Sequence, residues 1–181
     1  LDGTAPREGA RAWAAYADQG IYFAFECAQE RMKPDNSPDR KEVWLDDSVE
    51  IFIDDNGDRL TYQHFLVNAA GAKLYERVDA SGAKRTMTSA EWGAAARTEP
   101  GRWTVEVFIP YSTLGATVED GSLLRVNVCR NNPVLGEHSS WSPSTGTFHQ
   151  PLAFGNLIAG VPPANVKLSA NAGDVITAGP G

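Results

Sequence analysis

"EVWLDDSVEIFIDDNGD", residues 42–58, is the stretch from which the fold can be read. Val49, Ile51 and Ile53 alternate with Glu50 and Phe52, a period of two that suits a strand with one apolar face and does not suit a helix. Asp46, Asp47 and Ser48 before the strand are turn formers. "DDNGD" at 54–58 after it predicts a tight hairpin turn of the type I′ kind. The same stretch carries carboxylates at 42, 46, 47, 50, 54, 55 and 58. A catalytic pair, a metal cradle and one wall of a binding site are therefore all open. Glu50 shares its strand face with Phe52, which predicts partial burial and hence a need for a partner.

Outward from this strand, period-two alternation recurs at 11–17, 21–27, 62–68, 73–78, 102–110 and 123–130, and helical periodicity is scarce. Turn signals such as "ADQG", "NAAG", "EPG" and "EDG" separate the runs. The clearest run is "RWTVEVFIP", with Trp103, Val105, Val107 and Ile109 on one face and Thr104 and Glu106 on the other. "SAEWGAAA" fits either a short helix or a further strand, and "YSTLG" reads as a helical turn closed by Gly115. Many short strands with turn signals predict an all-β fold, an antiparallel β-sandwich of jelly-roll-like form. The length of 181 residues fits one domain over 1–160, followed by an Ala-, Gly- and Pro-rich linker or edge segment over 161–181.

A net charge of −7 argues against polyanionic partners such as nucleic acid or uronic polysaccharides, unless a local basic patch overrides the average. Lys and Arg are scattered singly or in pairs, and no such patch is visible in the sequence. A neutral ligand or a cation fits better. No apolar run approaches the length of about 20 residues that a membrane span needs. The chain begins at Leu1 without Met, which reads as a mature or trimmed piece. Cys27 shares the apolar face of Ile21, Phe23 and Phe25, whereas Cys129 lies opposite Leu124, Val126 and Val128. Two free thiols are therefore expected, with only Cys27 in the core.

Taken in order, "WLDDSVEIFID", "HFLVNAAG", "GRWTVEVFIP", "LRVNVCRNN", "SSWS" at 139–142 and "FGNL" at 154–157 resemble the family 9 carbohydrate-binding modules, within the DOMON-like β-sandwiches. The resemblance runs from about Ala10 to Leu157. It implies a non-catalytic module that holds a mono-, oligo- or polysaccharide between two tryptophans, here Trp44 and Trp141, with Glu50 taking sugar hydroxyls. The family's arginine before the Val-Asn pair is replaced here by Leu66, and Arg130 is a candidate substitute. Asn127, in the strand leading toward Trp141, is a further polar contact. Trp44 and Glu50 are six residues apart, roughly 20 Å along a straight strand, so both reach one sugar only if "WLDDS" turns back. The family also implies structural Ca²⁺, with Asp39, Asp46 and Asp47 as candidate ligands. A secreted, periplasmic or cell-surface setting follows from the same resemblance, as does a monomer tethered to a polysaccharide-degrading enzyme.

The other tryptophans have plainer readings. Trp103 belongs to the core by its strand face, and Trp13, in "ARAWAAYA", is expected there too. Two rival functions stand beside sugar binding. A DOMON-like haem domain would draw axial ligands from Met32, Met87, His64, His138 and His149. A glycoside hydrolase or lyase would need two carboxylates at a set separation, and the sequence shows no such geometry.

Overall fold

The computed structural model describes residues 4–33, 37–160 and 178–180. Two sheets pack face to face. One runs in the order β12 (Ala178–Pro180), β1 (Ala10–Ala17), β2 (Gly20–Ala28), β8 (Arg102–Pro110) and β7 (Gly93–Glu99). The other runs β10 (Glu137–Ser140), β9 (Leu123–Asn132), β3 (Ser48–Asp54), β4 (Tyr62–Asn68), β5 (Lys73–Val78) and β6 (Lys84–Thr86). A seventh strand, β11 (Gly155–Ile158), pairs with the far end of β9. All pairings are antiparallel except that of β12 with β1. The chain is thus the β-sandwich that the alternation predicts. "GAAA" resolves as part of β7, and α1 (Tyr111–Leu114) ends at Gly115, whose φ of 81° is the left-handed conformation that favours glycine. Of the expected C-terminal segment only Ala178–Pro180 is described, at the open edge of β1; residues 161–177 lie outside the described residues.

The inter-sheet core holds Ile21, Phe23, Phe25, Val49, Ile51, Ile53, Phe65 and Trp103, all nearly inaccessible. A half-buried strand would leave its second face wet, but β3 and β4 are buried on both faces. The outer side of β3, β4 and β9 is roofed by the turn at 43–47 and the segment 141–154. Under that roof Phe52, Tyr62, Val78, Cys129, Phe148 and Phe154 form a second, smaller core. This overturns the reading of Cys129 as outside any core. Both thiols are free and buried, and burial pushes the Cys27 thiol up to about 12.

Two further expectations fail for identifiable reasons. Trp13 is 50% exposed, because its neighbours Ala12 and Ala14 take the inward face of β1. "DDNGD" does not make a two-residue turn: Asp54 accepts from the amides of Gly57 and Arg59, and Asp58 from those of Leu60 and Thr61. Side-chain carboxylates capping backbone amides build a longer loop, with Arg59 at φ 59°.

Candidate functional site

The outer face of the larger sheet brings Asn127, Phe52, His64 and Glu76 onto one rung across β9, β3, β4 and β5. Phe52 stacks on His64 with ring centroids 4.2 Å apart. One rung along, Glu50 sits between Cys129 and Leu66. Its Oε2 accepts from His64 Nε2 at 2.6 Å and its Oε1 from Asn131 Nδ2 at 2.6 Å. His64 Nδ1 lies 3.4 Å from Glu76 Oε2, an ion-pair distance without hydrogen-bond geometry. One imidazole is therefore clamped between two carboxylates, and all three groups are at most slightly exposed.

Burial alone would raise the Glu50 carboxyl. The hydrogen bond and charge of His64, with the Asn131 amide, outweigh it and hold Glu50 below the usual carboxylate range. Burial also works against charge on His64, yet Glu50 and Glu76 raise it above its ordinary 6.5. Glu76 is lowered mainly by His64. His149 goes the other way, to about 4, through burial first and then the charges of His64 and Lys84. Lys84 Nζ can only donate, so His149 Nε2 accepts it at 2.8 Å and Nδ1–H points at the Tyr62 hydroxyl, also at 2.8 Å.

Above this floor opens a cavity of about 390 Å³, bounded by Trp44, Leu45, Lys84, His138, Phe148 and His149. The turn at Val43–Leu45 closes through Leu45 N to Glu42 O and Asp46 N to Val43 O. It doubles the chain back, so that Trp44 and Glu50 line the same cavity despite their separation in sequence. Val43 anchors the turn by packing on Leu66, Ala72 and Leu74. Leu66 is thus a buried peg beneath the turn, and the cationic partner of Glu50 is His64, two residues earlier on the same strand face. Trp44 itself is 45% exposed. His138 Nδ1 donates to Asn131 Oδ1 at 2.7 Å and so reinforces the Asn131 contact to Glu50.

The other sequence candidates lie elsewhere. Trp141 does not face Trp44; it packs against the inter-sheet core and over Gly155, and lines a different cleft with Trp13. Asn127 is fully buried, exchanging hydrogen bonds with the backbone of Ser142. Arg130 points to the core side of β9, where it ties together Glu8, Gly9, Ala28 and Gln29. It does not stand in for the family arginine, because it lies between Cys129 and Asn131, which face Glu50, and adjacent strand residues point to opposite faces.

The residues proposed for Ca²⁺ do not fit the ion. Asp46 faces Lys33 Nζ at 3.2 Å, Arg40 Nε at 3.6 Å and Asn68 Nδ2 at 2.7 Å. Asp47 accepts from Gln29 and from the Lys33 amide. Nitrogen donors surround both carboxylates where a hard cation needs oxygen ligands. Asp39 is exposed, and no group of three or more His, Cys, Asp or Glu that could hold a metal occurs among the described residues. The haem pairing fails on placement: Met32 and Met87 pack toward the inter-sheet core, whereas His64, His138 and His149 stand on the opposite side of the larger sheet.

His64, Glu76, Lys84, Asn131, Phe148 and His149 complete the site without having been read as sugar contacts in the sequence. His64 carried a usable signal, since it shares a strand face with Leu66 where the family places a cation.

A family profile described as "Carbohydrate family 9 binding domain-like" matches residues 4–159. A crystal structure from Bacteroides uniformis, named only as a candidate carbohydrate-binding protein, is 23% identical with a TM-score of 0.72, covering 83% of this chain and 78% of that one. A family 9 module from Caldicellulosiruptor kristjanssonii in complex with glucose is 19% identical with a TM-score of 0.64, covering 92% of this chain and 84% of that one. A structure of a family 9 module from the same organism with cellotriose is 20% identical with a TM-score of 0.60, over 93% and 84%. At these identities the likeness establishes the fold. No curated protein matches the sequence significantly.

Proposed function

The chain belongs to the family 9 carbohydrate-binding domains, and on that premise we propose that it holds a neutral pyranose, unreacted, in the cavity between Trp44 and Phe148. The observation that carries this reading is Trp44, a half-exposed indole standing beside a floor of ionised, hydrogen-bonded carboxylates. The apolar C–H face of the sugar stacks on the indole, a large rigid surface that loses little conformational entropy on binding. Glu50 and Glu76 accept hydrogen bonds from sugar hydroxyls, and Lys84 supplies a donor. Because the floor is already held in place by His64 and Asn131, binding need not order it. Trp44 with Phe148 replaces the two-tryptophan arrangement.

The two carboxyls do not suit a glycosidase. Hydrolysis needs one carboxyl kept protonated beside one kept ionised, and here His64 lowers both. The secreted or cell-surface setting and the role as an accessory to a polysaccharide-degrading enzyme are proposals that rest on the family alone. The test is calorimetric titration with glucose and with cellotriose, the sugars named for the related structures. Saturable heat that vanishes in Trp44→Ala supports the site. Undiminished heat in that variant places the sugar elsewhere.

A further inference from the structure

We propose that the cleft between Trp13 and Trp141 is a second saccharide site, and that it takes a pyranose bearing a carboxylate, a uronic acid residue. The cleft lies at the open margin of the sandwich, between β1 of one sheet and β9 and β10 of the other, and measures about 510 Å³. That falls in the range of about 300–1,000 Å³ typical of small-molecule sites. This inference rests on the membership of the carbohydrate-binding family and not on the Trp44 cavity.

Two aromatic rings wall the cleft. Trp13 is half exposed and has no ring partner among the described residues. Trp141 is seated against Gly155, where a Cβ would come within 2.5 Å of its ring. That contact fixes the indole while it lines the cleft. Both walls are thus large apolar surfaces set by the fold.

The polar lining distinguishes this cleft from the Trp44 cavity. It contains no acidic residue and two arginines, Arg11 and Arg130, together with Ser139 and Ser140. Arg11 is exposed, and no described residue pairs with it; Glu26, its cross-strand neighbour, is engaged by Arg102. Arg130 is 3% exposed, and its terminal nitrogens donate to Glu8 O, Gly9 O, Ala28 O and Gln29 Oε1 at 2.7–3.0 Å. Its Nη2 also lies 3.9 Å from Glu8 Oε2, an ion-pair distance, and its buried Nε–H has no acceptor. Arg130 thus contributes a fixed positive charge at the base of the cleft, and the exposed guanidinium of Arg11 supplies the donors within a ligand's reach. This is the local basic patch that the charge average concealed: guanidinium donors favour a carboxylate, and paired indoles favour the face of a sugar ring.

The experiment follows the indole N–H signals of ¹⁵N-labelled protein by NMR during titration with glucuronate, galacturonate and trigalacturonate, with glucose and cellotriose in parallel. Uronates should shift the Trp13 and Trp141 signals, bind about tenfold more tightly than glucose at that cleft, and weaken as salt is added. Arg11→Gln and Trp13→Ala should each weaken uronate binding about tenfold, leaving the cellotriose response of Trp44 and the melting temperature unchanged. Failure of all three uronates to move Trp13 and Trp141 overturns the proposal, as does equal binding of glucose there. Tighter binding of poly-glutamate than of trigalacturonate also overturns it, in favour of an acidic peptide. Uronate binding with no response of Trp44 to cellotriose sinks the Trp44 reading alone and leaves this one standing.

Discussion

The two clefts solve opposite problems on one sandwich. In the Trp44 cavity the polar groups engage one another as a ladder before any ligand arrives: Glu50, His64, Asn131 and His138 are joined by hydrogen bonds, and Glu76 is held by an ion pair to His64, whose Nδ1 makes no hydrogen bond. In the Trp13–Trp141 cleft the exposed guanidinium of Arg11 has no partner among the described residues. The first arrangement is preorganised, so its groups contribute to stability as well as to recognition. The second leaves the donors of Arg11 open to a ligand or to water. The difference follows from position. The cavity sits over central strands, where cross-strand neighbours are close on both sides. The cleft lies where β10 is an edge strand and the three-residue β12 pairs with β1 only at Ala14–Tyr16, leaving Ala10–Trp13 without a described neighbour on that side.

The largest effect that would break this contrast is on stability. His64→Ala leaves two nearly buried carboxylates without their cation, which should cost about 3–5 kcal/mol. Urea unfolding would show it, with His64→Gln milder because it keeps one donor. A loss under about 1 kcal/mol would mean that the ladder is solvated and not a closed network. Next comes binding. Trp44→Ala should remove about 2 kcal/mol of cellotriose affinity, roughly thirty-fold, with little change in unfolding. Trp141→Ala should do the reverse, lowering the melting temperature while sparing cellotriose, because its ring is packed on Gly155 and the core. If Trp141→Ala abolishes cellotriose binding, the two clefts are not independent.

A smaller effect is expected from pH. The folded protein protonates His149 only near pH 4, whereas the unfolded chain does so near 6.5. The unfolded state therefore binds the extra proton across that window, and stability falls as pH drops from about 6.5 to 4. Glu50 and Glu76, held low, lose their contribution further down, as pH falls through their folded values. His64 has the opposite sign, its contribution being lost as pH rises through its raised value. Melting curves of His149→Gln should be flatter than wild type between pH 6.5 and 4; identical slopes would remove His149 from the account. The smallest effect expected is none: EDTA should leave the melting temperature unmoved, since Asp46 and Asp47 already face nitrogen donors. A drop on chelation would show that a metal stabilises the native state by mass action.

Much of this molecule was legible in its sequence because strand periodicity is local. Tyr62–Asn68, Lys73–Val78 and Arg102–Pro110 form as the alternation over those residues predicts. The short β6, β10 and β11 were not seen, since three or four residues are too few for a period of two to stand out. The need of Glu50 for a partner also followed from its neighbour Phe52.

The sequence by itself determined the longer strands, the inward faces of β2, β3 and β8, the core position of Trp103 and the turn formers between Trp44 and Glu50. Only the tertiary structure decided which groups meet. His64 reaches Glu50 and Glu76 because β4 lies between β3 and β5 in one register, and Trp141 finds Trp13 in place of Trp44 because β9 and β1 border the same margin of two different sheets. An alternating pattern fixes the face of each side chain along its own strand. Its opposite number is set by sheet order and by how two sheets stack, and those are settled by burial summed over the whole domain.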